Sequence, residues 1–527
     1  MFEKLATDSV AASAAAFVVG GFGLYATYLL LLHPLSTYPG PWLAKLTEWY
    51  TGFHAVAKDL HLRIYEHHAT YGPVVRIAPN RLIFNTVTAL HDIYQNDRVV
   101  KSHTYRSAVR NNVDNVFTSL DKAMHRSKRR MVGAALTERA TKSFEPTVLK
   151  QIDVHLNELL SQARESKPVN MTERMRWLAL DIVWRLSFGH DLEAQTKEDN
   201  RFVSKAIAFG VYRGNIWHHV FFLSKLYIDK IFDRIFFSRE KFLRLLEKMI
   251  KSRLSRGEDG DRDFYSFISE LSAADRGDVR KGELWWEANF LIVAGSDTTA
   301  TAMSATFFYL SRYPECYKKL RDEIRSKFVS GQNITSGPQL ASCHYLRACI
   351  DEAMRLSPPL PGTLWRKQDP NDKEPLMIDG HFIPRGTLFG VSTYAIHHNE
   401  KYFPDPFVFK PERWLEHGAT SADEQRASAK RMSDAFAVFS IGSRACAGRA
   451  LAYAESSLVL AKTLWYFDFE APGGPLKGLG AGSTNGPPGR RRANEFQLED
   501  TFTSKHDGPM LVFRPREELC GDFESSV

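Results

Sequence analysis

Cysteine is scarce in this chain. The five cysteines among 527 residues are Cys316, Cys343, Cys349, Cys446 and Cys520. No two of them form a CxxC pair, and an odd, sparse set does not build the disulfide framework of a small secreted domain. The cysteine content therefore favours a reducing compartment.

Nucleic-acid-binding modules and internal repeats are also lacking. The formal net charge is +8, but basic residues are interleaved with acidic ones and no zinc finger or basic region occurs. We therefore expect no nucleic-acid partner, and we attribute the positive charge to contact with an acidic protein or an anionic membrane surface. With 44% hydrophobic residues, the chain can bury a large core.

Charge is absent from Ser9–Leu32, an apolar run of 24 residues. As a helix it would be about 36 Å long, enough to cross a bilayer core. A secretory signal peptide is the alternative, but its apolar region is normally shorter and ends at small residues, whereas this one ends in leucines. We expect a short tail at 1–8, a transmembrane anchor at 9–32 and a stiff, Pro-rich hinge at 33–45.

The remainder, 46–527, is expected to be one catalytic domain. Amphipathic helical patterns dominate it, at 149–163, 172–188, 237–254, 284–309 and 340–356. Strand patterns are short and lie at 74–85 and 375–392, the second with a hairpin signal at Asp379–Gly380. The Gly/Pro-rich segment 471–495 is expected to be a flexible loop. These patterns predict a mainly α fold with small β-sheets.

Cys446 has unusual neighbours for a packing residue. With Phe439, Gly442, Arg444 and Gly448 it forms the spacing FxxGxRxCxG, ahead of an amphipathic pattern. A thiolate held by backbone N–H groups and a helix N-terminus is a strong axial ligand for haem iron. The glycines permit close approach of the backbone to a flat macrocycle, Arg444 can pair with a haem propionate, and Phe439 can cover the sulfur. Together the five residues favour a haem ligand over a structural cysteine.

This segment resembles the haem-binding signature of the cytochrome P450 monooxygenases, and further motifs extend the resemblance over nearly the whole chain. It implies the P450 fold, with haem b (iron protoporphyrin IX) as cofactor and Cys446 as the axial ligand of its iron. Too little chain remains for a flavin domain, so electrons would come from NADPH through a separate, membrane-bound NADPH-cytochrome P450 reductase. The chain looks like fungal microsomal members of secondary metabolism, which act on lipophilic small molecules at the endoplasmic reticulum membrane with the catalytic domain facing the cytosol.

The segment Ala294–Ala300, AGSDTTA, places polar residues in the middle of an apolar helical pattern. Such side chains are poor helix formers, and hydroxyls that bond back to helix carbonyls are the structural alternative. The segment resembles the family's oxygen-activating helix. By that resemblance Thr298 takes part in oxygen activation, Asp297 relays protons, and Gly295 leaves room for dioxygen.

Glu352 and Arg355 lie three residues apart in EAMR, where they can pair on one helix face. An isolated pair of this kind carries no functional signal. Followed by FVFKPERW, it resembles the family's ExxR motif, and Arg413 would be its partner. The three residues would form a buried charge network that holds the cysteine loop.

Other basic residues resemble the propionate ligands of the family. His125 and Arg129 fall where the family commonly has a tryptophan and an arginine, and Arg366 falls at another propionate position. The aromatic segment Gly214–Phe237 would cap an apolar substrate pocket. By the same comparison, the residues lining that pocket would be Tyr105, Phe117, Phe290, Ala294, Thr363 and Leu364.

Two other functions stay open at this point. A haem-thiolate isomerase or dehydratase would rearrange its substrate without consuming oxygen, and a non-catalytic haem-binding protein would need no reductase. The presence of Asp297 and Thr298 favours the oxygenase.

Overall fold

The structure is a computed structural model. It describes residues 2–109, 113–226, 237–255, 263–266, 281–415, 422–516, 518–519 and 521. Residues 227–236 of the predicted pocket cap, and Cys520, therefore lie outside the described residues.

Helices make up most of the described chain, as predicted. In chain order, α1 to α17 are Phe2–Thr27, Trp42–Leu46, Trp49–Val56, Leu60–Tyr71, Val87–Tyr94, Lys122–Ala134, Glu138–Arg164, Met171–Phe188, Phe202–His219, Phe237–Ser255, Lys281–Arg312, Pro314–Lys327, Pro338–Ala341, His344–Leu356, Thr393–His397, Ala422–Ala435 and Arg449–Tyr466. The pattern at 340–356 is divided between α13 and α14, because Cys343 has a non-helical ψ of 77°.

Short strands form the small sheets that the sequence predicts. In chain order, β1 to β12 are Val74–Ala78, Arg81–Phe84, Val99–Lys101, Val169–Asn170, Arg366–Gln368, Leu376–Ile378, His381–Ile383, Leu388–Val391, Phe467–Glu470, Glu499–Thr501, Thr503–Lys505 and Met510–Pro515. The largest sheet has the order β1-β2-β8-β5-β3, and β6-β7 is the hairpin predicted around Asp379–Gly380. This sheet places Lys101 on β3 beside Arg366 on β5.

Helix α11 runs through the main hydrophobic core and packs against α8, α14 and α17. Its contact with α8 is close at Gly295, where a β-carbon would lie 2.8 Å from Cγ2 of Val183. This corrects the expectation that Gly295 leaves room for dioxygen, because the side of this residue that lacks a side chain faces α8. A glycine at this position allows the two helices to approach.

The N-terminal helix α1 continues as a π-helix at Tyr28–Leu32, and the stretch Ala12–Leu32 is long and apolar enough to cross a membrane. The expected hinge at 33–45 packs against the body rather than separating it from the anchor. Buried Arg76 on β1 donates hydrogen bonds to the carbonyl oxygens of Leu29 and Leu35, at 2.9 and 3.3 Å.

Segment 471–495, expected to be a flexible loop from its composition, is held by hydrogen bonds. It contains a 3₁₀-helix at Gly474–Gly478, and Gly482 N–H donates to the Arg492 carbonyl at 3.1 Å. The Arg490 guanidinium donates to the Leu498 carbonyl at 2.9 Å. Arginine side chains thus supply contacts that glycine and proline cannot.

Candidate active site

Cys446 lies in a turn just before helix α17. Its N–H donates a hydrogen bond to the Phe439 carbonyl at 2.8 Å. The Cys446 side chain is exposed, whereas the other cysteines that the structure describes are buried: Cys316, Cys343 and Cys349. Among the described thiols, Cys446 is therefore the one that an external metal centre can reach.

The charge state of Cys446 depends on opposing effects. Protein atoms surround the sulfur except on its open side, and this desolvation raises the pKa of the thiol above its usual value. The Gly448 N–H, Arg129 and Arg449 lower that pKa, and desolvation prevails. A metal cation at the sulfur would favour the thiolate much more strongly than these groups do.

Two arginines tie the cysteine loop to helix α6 and the segment before it. Arg129 donates to the Ala445 carbonyl at 2.6 Å, and Arg444 donates to the Ser119 carbonyl at 2.8 Å. Both arginines keep further N–H groups for a ligand, since a guanidinium has five donors.

Lys101 is a residue of this site that the sequence motifs did not indicate. It is buried on β3, and its Nζ donates to the carbonyl oxygens of Phe117 at 2.5 Å and Val116 at 3.2 Å. Burial lowers its pKa well below the usual value, and Arg444, Arg366 and Arg129 lower it further. A single lysine outside every motif gives no signal in the sequence.

Lys101, His125, Arg129, Arg366 and Arg444 thus form one basic cluster. Burial lowers the pKa of His125 to about 3 and that of Arg444 to about 10, and the neighbouring cations add to both shifts. Within the described residues, Lys101, Arg129, Arg366 and Arg444 donate hydrogen bonds to backbone carbonyls and to a tyrosine hydroxyl.

A cluster of cations that repel one another and have neutral partners fits an anionic ligand. The two propionate groups of a haem have the required charge, and they would pair with donors that the cluster leaves available. The exposed thiol of Cys446 on the adjoining loop would bind the iron of the same haem. The residues present therefore fit the haem that the resemblance implies.

The two glycines of the cysteine loop differ in their surroundings. Gly442 has φ +75°, and a β-carbon there would lie 2.1 Å from the Tyr94 carbonyl oxygen. The turn and the contact with helix α5 are therefore sufficient reasons for a glycine at this position, and its role at the haem stays a prediction. At Gly448 a β-carbon would meet open space, so this position leaves room for a planar group.

Glu352, Arg355 and Arg413 form a buried charge network. The Glu352 carboxylate accepts two hydrogen bonds from Arg355 at 2.9 Å, and one from Arg413 Nε at 3.0 Å. It also accepts bonds from Lys410 N–H at 3.0 Å and Trp414 Nε1 at 2.9 Å. Burial would raise the pKa of Glu352, but the two arginines and the Lys410 N–H outweigh it and lower the pKa overall.

The network reaches the cysteine loop through His397. Arg355 Nη1 donates to the His397 carbonyl at 2.8 Å, and His397 Nε2 accepts from Ala437 N–H at 3.0 Å. Ala437 lies two residues before Phe439, whose carbonyl holds Cys446 N–H. The charge network is thus linked to the cysteine by a continuous series of contacts.

On α11, Asp297 and Thr298 have different surroundings. Thr298 Oγ1 donates to the Ala294 carbonyl at 2.7 Å, which is the structural alternative considered for this hydroxyl. Asp297 is buried, and its Oδ1 lies 3.8 Å from Arg176 Nε. Burial raises the pKa of Asp297 above its usual value, against the opposing effects of Arg176 and the Thr503 hydroxyl.

Aromatic side chains connect α11 to a cavity. Phe117 stacks on Phe290 with ring centroids 5.4 Å apart and meets the edge of Phe502 at 5.5 Å. Of the predicted pocket residues, Thr363 and Leu364 line the cavity. Tyr105 instead lies in contact with Phe117 and bonds to Arg366, and Ala294 is the acceptor for Thr298.

Sequence reasoning missed the polar residues of this cavity. Its wall includes Asn215, His218, His219 and Asp500, with Phe502 beside them. The histidines lie at the end of α9, inside the segment predicted to cap the pocket. Asp500 lies on β10, far along the chain, and no motif marks it.

Comparison with known proteins agrees with this site. The sequence model of the family Cytochrome P450 matches residues 38–479. Cytochrome P450 monooxygenase AKT7 of Alternaria alternata is 35% identical over 508 residues, which cover 95% of this chain and 96% of the relative. Cytochrome P450 monooxygenase poxM of Penicillium oxalicum is 35% identical over 503 residues, covering 94% and 92%. Cytochrome P450 monooxygenase atnE of Emericella nidulans is 33% identical over 512 residues, covering 95% of each chain.

These matches include both the cysteine loop and the helix of Asp297, and they confirm the resemblance noted from the motifs. The chain belongs to the cytochrome P450 family of monooxygenases, which bind haem b and usually receive electrons from NADPH through a reductase.

Proposed function

We propose that this protein is a membrane-anchored haem-thiolate monooxygenase of fungal secondary metabolism. It inserts one oxygen atom from O₂ into a lipophilic small molecule, in a hydroxylation, epoxidation or related oxidation. The observation that carries this proposal is the exposed Cys446 thiol on a loop that adjoins a partly buried cluster of cations. In the domain division that we propose, 9–32 is the anchor and 46–527 is a single catalytic domain.

Cys446 is the proposed axial ligand of the haem iron. When bound, haem b supplies the centre at which dioxygen is reduced and the substrate oxidised. His125, Arg129, Arg366 and Arg444 would bind its propionates, with Lys101 as an additional cation. Phe439, Gly442 and Gly448 shape the loop around the ligand.

Asp297 and Thr298 are the proposed proton-transfer residues. A buried carboxyl with a raised pKa takes up a proton at a higher pH than a free one, and Arg176 Nε lies 3.8 Å from Asp297 Oδ1. The Thr298 hydroxyl uses its proton to bond Ala294, so its oxygen is free to accept a hydrogen bond from a donor in the active site. Glu352, Arg355 and Arg413 have a structural role in this scheme, because they hold the cysteine loop.

An exposed aromatic surface next to the N-terminal helix supports membrane attachment. Trp42 and Phe53 are each 65% exposed, and Trp49, 52% exposed, packs on Phe222 with ring centroids 5.6 Å apart. Tryptophan and phenylalanine favour the membrane interface. We propose attachment to the endoplasmic reticulum by a single span, with the catalytic domain in the cytosol and an NADPH-cytochrome P450 reductase as electron donor.

Isotope labelling tests the reaction. The holoenzyme is reconstituted with a fungal NADPH-cytochrome P450 reductase, and a panel of terpenoids, polyketides and alkaloids is incubated under ¹⁸O₂. We expect one ¹⁸O atom in the product for each turnover, and NADPH consumption that depends on the substrate. A substrate that is rearranged without ¹⁸O or NADPH would show an isomerase instead. Cys446→Ser is the matched control and should give no labelled product.

A further inference from the structure

The cavity near Phe502 contains buried polar atoms that lack partners. Within the described residues, Asp500 Oδ2, Thr363 Oγ1 and His219 Nδ1 are buried and accept or donate no hydrogen bond. All three residues line this cavity. Buried polar groups are nearly always paired in native proteins, with protein, ligand or ordered water, so three such atoms in one cavity mark a place where a polar group of a ligand would find partners.

Asp500 has the strongest requirement for a partner. The residue is 2% exposed, and its Oδ1 accepts a hydrogen bond from Phe502 N–H at 3.2 Å. Oδ2 faces the cavity wall at Gly362, where a β-carbon would lie 3.2 Å from it. Burial raises the pKa of Asp500 to about 7, and Asp59 adds to this shift. The N–H groups of Phe502 and His61 lower the pKa, although His61 does not reach Oδ2 in hydrogen-bond geometry.

The polar groups that line the cavity beside this carboxyl are neutral hydrogen-bonding groups. Burial lowers the pKa of His218 to about 3 and that of His219 well below its usual value, so both are uncharged at neutral pH. The nearby cation Arg81 donates to the His219 carbonyl at 3.0 Å and to Glu48, and it does not line the cavity. The carboxylate therefore has no cation in the cavity to pair with among the described residues.

Aromatic side chains lie between the polar cavity and α11. Phe502 belongs to its wall and contacts Phe117, which stacks on Phe290, one turn before Ala294 on the helix of Asp297 and Thr298. Because Phe502 itself lines the cavity, a ligand whose apolar body packs on this ring would place a polar group beside Asp500.

We propose that this cavity binds a hydroxyl group of the substrate, with Asp500 as the hydrogen-bond acceptor and Thr363 as the donor, so that the substrate is a lipophilic alcohol or phenol. This inference rests on the proposed monooxygenase function. A hydroxyl group both donates and accepts, and so satisfies both residues. An ether can only accept, and a carboxylate would place a second negative charge beside Asp500. The site thus selects a substrate that already carries a hydroxyl group, which a preceding oxygenation, carbonyl reduction or hydrolysis must supply.

Matched pairs of probes test the subsite at pH 8, above the value of about 7 to which burial raises the pKa of Asp500. The probes are 2-naphthol against 2-methoxynaphthalene, and decan-1-ol against 1-methoxynonane, with 2-naphthoate as the anionic probe. Dissociation constants are measured on the full-length protein in detergent by the shift of the haem Soret band, and independently by equilibrium dialysis, which does not depend on the haem. We expect each alcohol to bind roughly tenfold more tightly than its ether, and naphthoate to bind more weakly than either naphthalene probe.

Variants show which residue causes this preference. Asp500→Leu should reduce the ratio of ether to alcohol dissociation constants to about one, and the isosteric Asp500→Asn and Thr363→Val should reduce it in part. Glu499→Gln is the control, because Glu499 lies next to Asp500 on β10 but pairs with Lys58 at 2.8 Å outside the cavity. It should keep the wild-type ratio.

The proposal is overturned by a wild-type ratio near one, by an unchanged ratio in Asp500→Leu and Thr363→Val, or by failure of both alcohols to bind. Presence of the 450 nm band of the carbon monoxide complex in the same preparation shows that the haem-thiolate function holds even when the subsite fails. Absence of that band, with the preference for alcohols retained in dialysis, shows that the subsite holds even when the haem-thiolate function fails.

Discussion

Replacement of Glu352 by glutamine should strongly destabilise the protein. The two carboxylate oxygens of Glu352 together accept hydrogen bonds from N–H groups of Arg355, Arg413, Lys410 and Trp414. Glutamine keeps the shape but has one acceptor oxygen, and its NH₂ group must face donors. With the amide oxygen in the place of Oε1, the bonds from Arg355 Nε and Trp414 Nε1 are lost.

The magnitude follows from those lost contacts. Hydrogen bonds to charged groups contribute about 1.5–3 kcal/mol each, so two of them amount to about 3–6 kcal/mol. A buried ion pair that loses one partner typically costs about 3–5 kcal/mol, which agrees. Because whole proteins are stable by only about 5–15 kcal/mol, Glu352→Gln should remove a large part of the stability of this chain.

Urea unfolding of the holoenzyme, followed by tryptophan fluorescence and by conversion of the carbon monoxide band from 450 to 420 nm, measures the loss. Glu247→Gln is the control, because it breaks an exposed pair with Lys251 and should leave the unfolding midpoint unchanged.

The stabilisation by Glu352 depends on pH. The folded-state pKa of Glu352 lies below its ordinary value of 4.5. The contribution of its carboxylate to the free energy of unfolding is therefore complete above pH 4.5 and is lost as the pH falls through the folded-state pKa. The difference between wild type and variant should therefore be constant from pH 6 to 8. A difference in unfolding free energy below about 1 kcal/mol, with the 450 nm band intact, would refute the proposed structural role.

Three further variants test other parts of the structure. Thr298→Ala should consume NADPH but release a larger share of the electrons as hydrogen peroxide, measured as peroxide formed per NADPH consumed. Thr298→Ser keeps the hydroxyl and should restore coupling. Equal peroxide yields in wild type and Thr298→Ala would exclude Thr298 from the proton path. Gly295→Ala should destabilise the protein by about 1–3 kcal/mol through overpacking against Val183, and the added change Val183→Ala should recover most of this loss in thermal unfolding. Lys101→Met should lose haem to apomyoglobin several-fold faster than wild type, because the variant lacks one of the cations of the cluster. Arg126→Gln, at an exposed position on α6, is the control and should lose haem at the wild-type rate. Equal rates in Lys101→Met and wild type would exclude Lys101 from propionate binding.

The sequence predicted those parts of the site that depend on short, fixed spacing. The i,i+3 spacing of Glu352 and Arg355 places both on one turn of a helix, and the structure contains their ion pair. The spacing around Cys446 likewise belongs to one loop. Arg413 could be assigned only through the family resemblance, since 61 residues separate it from Glu352.

Features that depend on how elements face one another could not be predicted. The sequence identified the helix that contains Gly295 and Thr298, but not its rotation, which turns Gly295 towards Val183 and lets Thr298 bond to Ala294. Lys101 and Asp500 belong to no motif in the sequence. Their burial is set by distant segments, and burial is what makes their charges significant.

The carbon monoxide difference spectrum of the reduced protein tests the central claim most directly. Wild type should show a Soret band near 450 nm, because a thiolate ligand to the haem iron is the origin of that band in this family. Cys446→Ser, measured at equal haem content, should lack it. A wild-type protein that binds haem without the 450 nm band, or a Cys446→Ser variant that keeps it, would contradict the assignment of Cys446 as the axial ligand.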